Sequence, residues 1–105
     1  MIVTIKRFRS GLGYEWVEGV ATSAEHFAIT NSVNHNGKRY SLTHGPSGYA
    51  VAHSNKHKPL RLFAAILVAL PIPWGKIRTP KSLSKHWRKL PIEIQRWRKD
   101  FMESM

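Results

Sequence analysis

The chain has 105 residues, the size of one ordinary domain, and its 42% apolar content excludes a disordered polymer and supplies a core. It holds no cysteine, which excludes disulfides, thiolate metal centres and a cysteine nucleophile. Seventeen Lys and Arg against six Asp and Glu give +11, split as +2 over residues 1–52 and +9 over residues 53–105, a lopsided field that concentrates anions around the C-terminal half.

Met1 leads directly into an alternating segment, so no secretory leader is expected and the chain is assigned to the cytoplasm. Ile2–Arg9 is rich in β-formers, Ser10-Gly11-Leu12-Gly13 is a turn signal, and Tyr14, Trp16 and Val20 fall on one side of the next alternating stretch. These predict a first hairpin. Thr22-Ser23-Ala24-Glu25 has capping-box spacing, which predicts a single helical turn.

Phe27–Val33 is a third strand. Asn34-His35-Asn36-Gly37 is a hairpin turn, because Asn-Gly accepts the positive φ of a type I′ turn. Lys38–Thr43 pairs back, His44-Gly45-Pro46-Ser47-Gly48 turns again, and Tyr49–His53 closes a meander. His26, His35, His44 and His53 recur every nine residues, which is strand-plus-turn spacing. In a meander, His26 and His44 sit at one end and His35 and His53 at the other, so the four cannot converge on one metal.

After the connector Ser54–Lys58, Pro59 suits the start of a helix. Residues 59–70 read as a helix that is apolar almost all round. The uncharged run from Leu62 to Gly75 is 14 residues, short of the roughly 20 that span a bilayer, so a helix buried on the sheet is expected and no transmembrane segment. Pro71–Lys81 is a proline-punctuated loop. In residues 82–103, Leu83, Trp87, Leu90, Ile94, Trp97 and Phe101 are spaced 4, 3, 4, 3 and 4, one apolar seam along a helical face interrupted at Pro91. The seam is expected to dock on the chain's own core. Heptad spacing also admits a homodimer, but a proline with two turns on each side makes a poor coiled coil.

The fold expected is α+β, a single domain over residues 1–105. Residues 1–53 form an antiparallel meander of four to five strands, residues 59–70 one buried apolar helix, and residues 82–103 a basic helical segment kinked at Pro91.

Four kinds of chemistry merit attention. Lys76, Arg78, Lys81, Lys85, Arg88, Lys89, Arg96, Arg98 and Lys99 put nine cations into residues 76–99 against the single acid Glu93, a density suited to successive phosphates. Tyr40, Tyr49, Trp16 and Trp74 are candidates to stack bases, against a core role. His53 and His57 form an i, i+4 pair with His35 as a third ligand, but no nearby carboxylate orients them, and neither a metal nor a cofactor is expected. His35, Lys38, Arg39, Tyr40 and His44 carry the residue types of a metal-independent ribonuclease, one group as base and others stabilising a phosphorane. A helix-turn-helix reader is disfavoured, because the break at Pro91 lacks a loop.

The segment Lys38-Arg39-Tyr40-Ser41-Leu42-Thr43-His44-Gly45-Pro46-Ser47-Gly48-Tyr49-Ala50-Val51 resembles a hairpin of small accessory proteins of bacteriophages and prophages. The resemblance implies a host-takeover or anti-defence role, in which a small domain binds and blocks a host nucleic-acid machine such as a CRISPR complex. With a charge of +11, such an inhibitor is expected to occupy an acidic surface of the host protein or to join the nucleic acid itself. The resemblance brings no catalytic residues. The function expected first is a non-enzymatic module that binds nucleic acid, a nucleoprotein complex or another polyanion. The phage-type inhibitor is the alternative, and the ribonuclease is third.

Overall fold

The computed structural model describes residues 1–9, 13–35 and 38–96, with the side chains of all these except 9, 33–35 and 38. The architecture is α+β: a five-stranded antiparallel sheet with helices packed on it. The strands are β1 (Ile2–Arg9), β2 (Gly13–Ala21), β3 (Phe27–His35), β4 (Lys38–His44) and β5 (Tyr49–Ser54), in the spatial order of the sequence. Helix α1 (His57–Val68), a 3₁₀ turn (Trp74–Lys76) and helix α2 (Pro80–Arg88) follow. The two Asn-Gly and Ser-Gly-Leu turn tips, 36–37 and 10–12, lie outside the described residues.

Register shows how the sheet is covered. Ile2, Val20, Ile29, Leu42 and Ala52 stand opposite one another across all five strands and therefore share a face. Along that row exposure falls from 69% at Ile2 to 2% at Ile29 and 0% at Leu42. The helices thus cover β3, β4 and β5 and leave the β1–β2 hairpin bare. On the opposite face, Gly19, Thr30 and Ser41 are aligned and buried, and the Thr30 and Thr43 hydroxyls meet at 3.1 Å.

What buries this second face is curvature. β2 pairs with β3 only over residues 19–21, so the far part of the hairpin is free to arch across. Phe8 N–H donates to the Gly48 carbonyl at 2.7 Å, which joins β1 to the β4–β5 turn. Beneath the arch, Arg7 donates through Nε and Nη2 to Glu15 Oε1 and through Nη1 to the Asn31 carbonyl. Gly48 has φ +74, and a Cβ there would stand 2.9 Å from Phe8 N, so only glycine permits this contact.

Residues 22–26 form a turn and not the expected helical turn. Thr22 Oγ1 accepts from Ala24 N–H at 3.2 Å, and its hydroxyl faces the Ala24 and Phe27 carbonyls. This local bond satisfies the backbone without a helix. His26 follows with φ +74.

Helix α1 buries Pro59, Leu60, Phe63, Ala64 and Leu67 on one face. It is not covered all round: Leu62 and Val68 remain 45% and 44% exposed. It starts two residues before Pro59, which costs nothing because the first four N–H groups of a helix lack intrahelical partners. It stops at Val68, ahead of Pro71. The Trp74 indole Nε1–H donates to the Leu67 carbonyl at 2.9 Å, an acceptor of the last turn that also takes the Leu70 N–H at 3.1 Å.

Helix α2 has Pro80 at its first position, and its cap Thr79 Oγ1 accepts from Ser82 N–H at 3.1 Å. Leu83, Leu90 and Ile94 enter the core, and Trp87 meets Phe63 edge-on at 6.1 Å. Residues 92–96 are helical again beyond Pro91. The last seam members, Trp97 and Phe101, lie outside the described residues. No helix among the described residues is long and apolar enough to cross a membrane.

Candidate functional site

The apolar seam decides where the charges go. With Leu83 turned into the core, a period of 3.6 residues puts Lys81, Lys85 and Arg88 within roughly 60° of arc on the opposite side of α2. Lys89, the C-cap residue, lies next to them. All four are exposed. Lys85, His86 and Arg88 occupy the last turn, where helix carbonyls favour cations. Lys76 and Arg78 are exposed on the approach to α2, and Arg96 is exposed beyond Pro91. Arg98 and Lys99 lie outside the described residues.

Seven cations thus precede residue 97 in this tract, and Glu93, itself exposed, is the one carboxylate among the same described residues. Ion pairing among the described residues lies elsewhere, between Arg7 and Glu15, and Glu25 lies 3.9 Å from the His26 ring. The α2 stripe is therefore free of internal neutralisation among the described residues.

The histidines are dispersed by the fold. His44 is fully buried and Nε2 lies 2.7 Å from the Trp74 carbonyl. A carbonyl only accepts, so Nε2 carries the proton and Nδ1 is bare. Nδ1 then accepts from Ser47 Oγ–H at 2.7 Å and from Ser47 N–H at 3.3 Å. Burial, the larger influence, lowers the His44 pKa to about 4, aided by nearby His26 and opposed by the bond to Trp74.

A serine bonded to a neutral imidazole is the pairing of a nucleophile and its base. Here both side chains are 0% exposed, and Ser47 Oγ also accepts from Tyr49 N–H. The pair ties the β4–β5 turn to the 3₁₀ turn, and a substrate has no path to it.

Of the ribonuclease candidates whose side chains are described, His44 is set apart from Arg39 and Tyr40. His44 stands six residues from Lys38 along β4, about 20 Å at strand rise. Tyr40 packs against the His57 ring at 4.4 Å, and Arg39 N–H donates to Asn55 Oδ1. The side chains of His35 and Lys38 lie outside the described residues. His53 and His57 fall on different elements, β5 and α1, and Ser41 Oγ bonds the His53 ring at 2.8 Å. Among the described residues, no three His, Asp or Glu side chains are grouped to hold a metal.

The aromatic candidates divide sharply. Trp74 is 4% exposed, lies edge-on to Phe27 at 5.2 Å, and is core. Trp16 is 68% exposed. On the bare face of the β1–β2 hairpin, Lys6 stands opposite Trp16 and Phe8 opposite Tyr14. The Lys6 ammonium lies 5.5 Å from the Trp16 ring centre and 5.9 Å from that of Tyr14, within cation–π range. Tyr14 in turn meets Phe8 edge-on at 5.4 Å. Sequence reasoning singled out Trp16 but missed Lys6 and Tyr14 as its companions. Alternation already aligned Tyr14 with Trp16, but the pairing with Lys6 needed the register of the hairpin.

Compared with known protein families, with curated proteins and with solved structures, the chain matches none of them.

Proposed function

We propose that this protein is a binding module for nucleic acid or a similar polyanion, engaged through the outward face of α2. The observation that carries the reading is the stripe of Lys81, Lys85 and Arg88 with Lys89 beside it, exposed and unpaired among the described residues while Leu83 anchors the helix from behind. A helix pinned by its apolar side presents cations at fixed spacing, and each cation that meets a phosphate releases a counterion. Arg88 adds a planar fork that grips a phosphate by two bonds.

The test is affinity for a nucleic acid measured across a range of salt concentrations. Binding is expected to fall steeply with salt, with a logarithmic slope of about −0.9 per phosphate contacted. The double variant R88E/K89E is expected to weaken binding to every sequence alike and to flatten the slope by about two units. Equal affinity and slope in wild type and variant would remove the reading.

A further inference from the structure

We infer that the bare face of the β1–β2 hairpin is a stacking platform for unpaired bases, built by Trp16 and Tyr14 around Lys6. This rests on the polyanion reading and narrows it to single-stranded nucleic acid. Three observations meet here. Trp16 and Tyr14 are 68% and 48% exposed, so both aromatic residues are open to solvent. They are i, i+2 on one strand and so project from the same face, with Lys6 between them from the neighbouring strand. And the helices, which cover this same sheet face over β3 to β5, stop short of it.

The chemistry of the patch selects the occupant. A purely apolar partner would have to bury the Lys6 ammonium without a counter-charge. A second copy of a chain carrying +11 adds only repulsion at long range. A nucleotide supplies both complements: a flat base for each ring and a phosphate for the ammonium. Stacking on a ring is open to every base, because every base has a π face, whereas a paired duplex hides those faces in its own stack. Glu18 lies two residues past Trp16 on the same face and repels phosphate there, so the strand's backbone passes on the Tyr14 side.

Titration of a labelled oligothymidylate of about 15 nucleotides, and of a duplex of equal length, at one salt concentration tests the assignment. Wild type is expected to prefer the single strand. W16A and Y14A are each expected to weaken single-strand binding about tenfold and to leave duplex binding unchanged. W16F, which keeps a ring, is expected to retain most of the affinity. Urea unfolding of each variant checks that the exposed substitutions leave the fold intact. Wild-type affinity for the single strand in W16A and Y14A, or equal wild-type affinity for single strand and duplex, overturns the platform while a loss in R88E/K89E keeps the polyanion reading. Failure of wild type to bind either probe overturns both.

Discussion

Replacing His44 by Gln should make the protein markedly less sensitive to acid, although less stable at neutral pH. The folded state holds His44 neutral, with a pKa lowered from 6.5 to about 4 by burial. The unfolded chain takes up a proton near pH 6.5, and the folded one resists until about pH 4. Between those values the unfolded state binds more protons, so stability falls as pH falls. The full difference, about 2.5 units at 1.36 kcal/mol each, amounts to about 3 kcal/mol. Most of it, about 2–3 kcal/mol, is lost between pH 7.5 and pH 4.5. Solvent screening of this contribution is small, because the His44 side chain is buried. Urea unfolding at the two pH values, on wild type and His44→Gln, isolates the contribution, since every other titrating group is common to both. Wild type should lose about 2–3 kcal/mol more than the variant. Equal losses would show that His44 is not held as a neutral donor to Trp74 and would refute the tautomer assigned to it.

Other substitutions probe the curvature and the anchoring of α2. Gly48→Ala should destabilise by more than about 2 kcal/mol, because it combines left-handed strain with the Cβ placed 2.9 Å from Phe8 N. Gly13→Ala, at φ +80 with no atom of the described residues within 4 Å of its Cβ, should cost only the strain, about 1–2 kcal/mol; equal urea midpoints for the two would refute the closure of β1 on the β4–β5 turn. Thr79→Ala removes the bond to Ser82 N–H and should cost about 1 kcal/mol in thermal or urea unfolding. Leu83→Ala empties a fully buried site and should cost about 3 kcal/mol by the same measurement; a near-neutral result would mean that α2 is not anchored through this residue.

The sequence by itself determined the order and kind of the strands. Alternation over Ile2–Arg9 and Tyr14–Val20, and the turn residues of 44–48, need only local chemistry, and the strands stand where those signals put them. The one-sided burial of α1 was not legible, because an almost wholly apolar helix gives no contrast between its faces. Docking on the sheet supplies that contrast, hiding Phe63 and exposing Leu62. The α2 stripe was half legible: the spacing of Leu83, Trp87 and Leu90 already implied an outer basic face, whereas its freedom from ion pairs among the described residues depends on how the chain packs.

Only the tertiary structure decided which aromatic is core and which is surface, and why His44 differs from the other histidines. Trp74 lies in a loop that sequence alone leaves open, yet the indole finds the Leu67 carbonyl and the ring fits against Phe27. Trp16 has the alternation of a core residue and is exposed, because the helices cover β3 to β5 and end before the hairpin. A period of two states that a strand has two faces. Which face meets another layer depends on where distant segments dock, and that contact has no local signature in the chain.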